Sequence, residues 1–243
     1  MGAHAALHVA VVGGGPAGLM AADVLARGGA KVDVYDAMPS VGRKFLLAGK
    51  GGLNLTHSEP RDAFLSRYGA ARARADPWLR SFGPDEIRAW AHGLGIETFI
   101  GSSGRVFPTE LKAAPLLRAW LRQLRNASVG FHVRHRWIGW DGDGALSFAT
   151  RDGEHRIHAH ATVLALGGGS WPRLGSDGAW VPTLQARGIP VAPLRSANCG
   201  FDVLWSEYLR TQYAGHPLKN VVVSCDEIDG SCVERRGELI ITR

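Results

Sequence analysis

The sequence predicts an α/β fold: a parallel sheet that carries a helical insertion, followed by the start of a β-rich second domain. Three observations predict it. A glycine-punctuated strand–turn–helix opens the chain, strand and helix patterns alternate after it, and a second strand running into glycines returns near residue 165. The chain has 243 residues, 45% of them hydrophobic and 21% charged. That length allows one large domain, or one domain and part of another. The expected boundaries are 1–190 for the first domain, with the insertion at about 58–126, and 191–243 for the beginning of the second.

The run Leu7–Val12 reads as a buried strand that ends in a glycine turn. "PAGLMAADVLARGG" follows as a helix, with Leu19, Ala22 and Leu25 or Ala26 at helical spacing and Gly28-Gly29 at its end. "AKVDVYDA" is a second strand. Gly13, Gly15 and Gly18 are spaced G-x-G-x-x-G. Gly13 permits the tight turn, Gly15 lets backbone approach a pyrophosphate, and Gly18 lets helix pack on strand. The helix N-terminus offers its amides to the phosphates. Asp36 ends the second strand, where a carboxylate hydrogen-bonds an adenosine ribose and repels a 2′-phosphate. A Rossmann-like dinucleotide-binding domain is therefore expected, with FAD and NAD both open at this point.

The next elements bear on that choice. Arg43 and Lys44 follow Gly42, and Gly49, Gly51 and Gly52 then lead to Asn54 and Thr56. A plain NAD domain passes straight to its next helix. A basic and glycine-rich loop suits a longer cofactor threaded across the domain, and its alternative is an ordinary surface loop. Residues 58–126 read mainly as helix. In "LKAAPLLRAWLRQLRN" an apolar face of Leu116, Leu117, Trp120, Leu121 and Leu124 marks Trp120 as core. Residues 131–161 read as a three-stranded insert between parallel strands, a form usual in two-dinucleotide-type flavoproteins. Thr162–Leu166 is a buried strand ending in Gly167-Gly168-Gly169. The stretches 189–204 and 216–243 read as strands with charged turns.

Four motifs in this order make the sequence similar to the HI0933-like (BaiN- and YhiN-type) family of NAD(P)/FAD-dependent oxidoreductases. They are the glycine fingerprint, "GRKFLLAGKGGLNLT" at 42–56, "GRVFP" at 104–108 and "GGGSWPRLGSDG" at 167–178. The likeness covers about residues 7–190. Gly52-Leu53-Asn54 departs from a commoner G-R-C-N form and marks a distinct subgroup. The resemblance implies FAD as cofactor. It implies Gly13, Gly15, Ala17 and Gly18 under the pyrophosphate, Asp36 on the ribose, and Arg43 and Lys44 beside the cofactor. Gly51, Gly52 and Asn54 would approach the flavin side, and the backbone near Trp137 the adenine, where a smaller aliphatic residue is commoner. Gly167 and Gly168 would close over the cofactor, with Arg105 and Trp171 on the substrate side. In the family the second domain continues and returns a strand to the first, so the chain is expected to be truncated at Arg243.

Composition narrows the classes further. The net charge is +6, but the basic residues are scattered, with no long basic tract. That suits an enzyme with an anionic cofactor better than a nucleic-acid binder. The cysteines Cys199, Cys225 and Cys232 form no C-x-x-C pair and read as reduced packing residues. His155, His158 and His160 read as an exposed strand face, and no metal site is expected. His57 beside the glycine loop is an acid–base candidate, with a surface or hydrogen-bonding role as its alternative. No signal peptide or transmembrane span is evident, so a cytoplasmic location is expected. The implied activity is hydride transfer between NAD(P)H, FAD and a small organic substrate, in which the flavin carries the redox chemistry. An incomplete, non-catalytic FAD-binding fragment is the alternative, and an RNA-modifying flavoprotein is a third reading.

Overall fold

A computed structural model describes residues 7–48, 51–195, 202–226 and 230–241. Gly49, Cys199 and the segment 196–201 lie outside the described residues. The chain divides into two compact units, Met1–Arg195 and Ser196–Arg243.

The first unit opens with β1 (His8–Val12), α1 (Pro16–Arg27) and β2 (Lys31–Asp36). After α2 (Arg43–Ala48) come β3 (Thr56–His57), α3 (Arg61–Ser66), α4 (Arg72–Ser81), α5 (Pro84–Gly93), β4 (Thr98–Ile100), β5 (Arg105–Pro108) and α6 (Ala113–Asn126). The chain continues through β6 (Gly130–Val133), β7 (Arg136–Trp140), β8 (Leu146–Thr150), β9 (Gly153–Ile157), β10 (Ala161–Leu164) and α7 (Val181–Gln185). Four strands form a parallel sheet in the order β10-β1-β2-β6, and β7-β8-β9 form an antiparallel meander. This is a Rossmann-like α/β fold.

Alternation along β1 explains its apolar run. Val11 packs with Leu19, Val32, Val34 and Trp120 on one side of the sheet. Ala10 and Val12 pack with Tyr35, Trp137 and Phe148 on the other. A central parallel strand is buried on both faces, so it has no polar side to show. Inside α1, Asp23 is buried, and its carboxylate is met by Arg27 and by Gln123 of α6, each at 3.0 Å.

Three stretches differ from the sequence expectation. Residues 43–48, expected as a basic lead into the glycine loop, form a helix. The run R-K-F-L-L-A favours it, and Phe45 packs edge-on to Trp120 with ring centroids 6.4 Å apart. Within the helical insertion, β3, β5 and β4 form an antiparallel sheet. Thr98, Phe99, Ile100, Val106 and Phe107 are β-branched or aromatic, and Gly104 at φ +79° closes the turn between the last two strands. Residues 189–195 carry no strand, because Pro190 and Pro193 cannot donate to a ladder.

The second unit contains α8 (Glu207–Tyr213), β11 (Pro217–Asp226) and β12 (Cys232–Ile240), the two strands antiparallel. Ser206 Oγ caps α8 by accepting from Leu209 N–H at 3.3 Å. Cys225 and Cys232 are free thiols that face solvent, not packing residues. Among the described residues, no helix is long and apolar enough to cross a membrane.

A carboxylate ties three strands of the parallel sheet. Asp33 of β2 meets His8 of β1 at 2.9 Å and His132 of β6 at 2.8 Å. Burial pushes the Asp33 carboxyl up, but the bonds and charges of His132 and His8 outweigh it, and it titrates below its usual range. Its contribution to stability is therefore present above about pH 4 and lost as pH falls through the lowered value. Acid titration of unfolding should show this loss in the wild type and a flatter profile in Asp33→Asn. Truncating the core at Leu124, which is fully buried, should cost about 2–5 kcal/mol in denaturant unfolding of Leu124→Ala.

Candidate functional site

The turn after β1 brings three pieces of backbone closer than side chains allow. Gly13 has φ +110°, and a Cβ there would lie 2.2 Å from Ala165 O, in the residue that follows β10. A Cβ on Gly18 would lie 1.8 Å from Gly13 O. Gly15 is different. Its φ of −79° suits any residue, and a Cβ there would meet nothing within 4 Å. The space before the first turn of α1 is open. That turn has no side-chain cap and no acidic residue, so its amides and the positive end of the helix dipole are left for an anion.

At the end of β2, Asp36 Oδ2 accepts from Gly14 N–H and Oδ1 from Met38 N–H, both at 2.7 Å. Burial pushes this carboxyl up, and the two amides and the charge of Arg43 only partly offset it. Gly14, which no sequence motif singled out, is part of the same packing. A Cβ on it would lie 2.4 Å from Val41 Cγ1 and 2.9 Å from Asp36 Oδ2.

A cleft of about 350 Å³ surrounds this turn. Of the residues named from sequence, Gly13, Gly15, Asp36, Lys44, Trp137 and Gly167 line it. Gly18 lies behind the turn, and Ala17 follows in the first turn of α1. Arg43 Nε is buried with no hydrogen-bond partner. Gly168 O accepts from Ser176 Oγ at 3.0 Å. Gly51, Gly52, Asn54, Arg105, Trp171 and His57 are not among the lining residues. His57 Nδ1 accepts from Glu59 N–H at 3.1 Å, so Nε2 holds the proton it donates to Ser103 O at 2.9 Å. Both ring nitrogens thus hold the loop, and Glu59 Oε1 lies 3.7 Å from Nδ1.

Several lining residues escaped the sequence reading. Arg136 Nη1 pairs with Asp177 Oδ2 at 3.1 Å, and Trp180 Nε1 donates to Gly167 O at 3.1 Å. Tyr35 stacks between His132 and Phe148, each at 4.6 Å, and burial with the charge of Asp33 pushes its phenol up to about 12. A register shift between Trp137 and Gly139 lets the consecutive residues Arg136, Trp137 and Ile138 all reach the cleft. Asp177 belongs to the "GSDG" of the fourth motif. Its partner lies 41 residues away, so no local pattern revealed the pair.

The pattern of the HI0933-like protein Rossmann domain matches residues 7–235. The chain belongs to this family. A curated relative of this HI0933-like chain, the 3-dehydro-bile acid delta(4,6)-reductase of Clostridium scindens, is 30% identical over 191 residues. Those residues are 77% of this chain and 45% of the relative, so the chain spans under half of that protein's length. Among solved structures, the 3-ketosteroid-delta4-(5alpha)-dehydrogenase of Rhodococcus jostii RHA1, in complex with 4-androstene-3,17-dione, has TM-score 0.56 at 17% identity. That match covers 76% of this chain and 55% of the dehydrogenase, and it reflects a shared fold.

The glycines of this HI0933-like turn separate by experiment. Gly18→Ala forces α1 off the sheet and should cost about 1–3 kcal/mol, read as a lowered Tm. Gly15→Ala should leave the Tm of the ligand-free protein unchanged.

Proposed function

We propose that this chain binds FAD in the glycine-turn cleft and serves as an FAD-dependent oxidoreductase, passing hydride between NAD(P)H and a small organic substrate. The observation that carries the reading is the open cradle at Gly15, set before uncapped helix amides and beside a carboxylate at the end of β2. The donor set fits the group. Gly13, Gly15 and the α1 amides suit the pyrophosphate. Each oxygen of Asp36 accepts one amide and keeps a lone pair for a ribose hydroxyl. The family resemblance puts an adenine near Trp137, which lines the cleft together with Gly167. The Arg43 guanidinium adds positive charge near Asp36. Family membership supports the same reading.

When bound, the isoalloxazine supplies the hydride chemistry. The chain's own residues then have to bind, orient and exclude water. A second reading is FAD binding without turnover.

The visible spectrum of the purified chain after FAD addition, followed by anaerobic NADH and NADPH, tests both. Bound flavin that bleaches supports the oxidoreductase. Bound flavin that stays yellow with either donor supports the second reading, and absence of uptake overturns both. Asp36→Ala should weaken FAD binding by about 1–3 kcal/mol, measured by quenching of flavin fluorescence.

A further inference from the structure

Among the described residues, the lysine and arginine side chains that line the cleft are Lys44 and Arg136. The two are held in different ways. The Arg136 guanidinium faces the Asp177 carboxylate at 3.1 Å, and Asp177 Oδ1 also accepts from Ala179 N–H at 3.1 Å. Its positive charge is matched by a negative one. Lys44, in the first turn of α2, reaches the segment that follows Gly167-Gly168-Gly169. There its Nζ donates to Ser170 Oγ at 2.6 Å, across 126 residues of sequence.

A hydroxyl accepts a hydrogen bond without cancelling the charge of the donor. Lysine has a flexible stem and loses much rotamer freedom when fixed. One neutral acceptor fixes the ammonium and leaves its charge for another group. The ligand proposed above carries two phosphates, and the carboxylates Asp36 and Asp177 already line the cleft. A cation with no carboxylate partner among the described residues is what such a ligand requires.

We propose that Ser170 is a positioning residue whose hydroxyl holds the Lys44 ammonium at the cleft as a fixed counter-charge for the phosphates of bound dinucleotide. The proposal rests on the FAD reading above. Ser170 acts only through Lys44, so the effects of changing the two are not independent.

FAD dissociation constants of the full chain, from flavin fluorescence quenching, test it. Ser170→Ala should weaken binding about threefold to tenfold. Ser170→Thr, which keeps the hydroxyl, should restore it. Ser170→Asp should bind more weakly than Ser170→Ala, because a carboxylate cancels the ammonium. In a Lys44→Met background, Ser170→Ala should cause no further loss. Equal losses from Ser170→Ala with and without Lys44→Met would overturn the proposal, as would wild-type affinity in Ser170→Asp. A wild-type chain that takes up no FAD overturns the FAD reading and this proposal together. One that binds FAD while Ser170→Ala binds equally well overturns the proposal alone.

Discussion

The first unit depends on a contact between backbones. Gly13 N–H donates to Tyr35 O at 2.8 Å, and Ala165 N–H donates to Val12 O at 2.7 Å. One turn is thereby pinned to β2 on one side and to the end of β10 on the other. The closeness leaves no room for a Cβ at Gly13 or Gly18, where the atom it would meet is backbone and cannot move aside. With the backbone this tight, α1 starts at the C-terminal end of the central strand β1 and directs its uncapped end into open space. Every other feature of the cleft is arranged around that end.

This constraint was legible in the sequence because it is local. Gly13, Gly15 and Gly18 fall within six positions, and Asp36 closes the next strand, so spacing alone locates them. The same holds for the alternation of β1 and for Trp120 on the apolar face of α6. What was not legible is long-range. Lys44 finds Ser170 across 126 residues, His132 finds Asp33 across 99, and Arg136 finds Asp177 across 41. Each is a single polar side chain whose partner is set by the sheet order rather than by any neighbour in sequence. The six-residue α2 was missed for a related reason. Flanking glycines read as loop, while the packing of Phe45 on Trp120 decides for helix. His57 drew notice as a histidine near glycines, yet its environment is made by Ser103, on a hairpin remote from it in sequence.

The polar groups of the parallel sheet are met in two ways. At Asp33 a carboxylate is shared by two imidazoles, so three strands are held by ionisable side chains. At Asp36, three residues along the same strand, the partners are peptide amides that do not titrate. The first arrangement ties fold stability to acidity. The second keeps a carboxylate in place at the cleft whatever the protonation of its surroundings. Tyr35 stands between them, its hydroxyl kept protonated by burial and its ring stacked on His132.

The strand order has a consequence for how the protein is made. β1 pairs with β2, which follows it directly, and with β10, which is synthesised last in the sheet. One edge of a mostly apolar strand therefore emerges from the ribosome about 150 residues before its partner, a wait of roughly 8–30 s at ~5–20 residues per second. During that interval the nascent chain exposes an unpaired, hydrophobic strand edge, the kind of surface that pairs with other chains. The glycine turn stays incomplete for the same time, because Ala165 is the wall that Gly13 leans on. The strand order thus makes protection of that edge during translation a requirement that a ligand, which needs the finished turn, cannot meet.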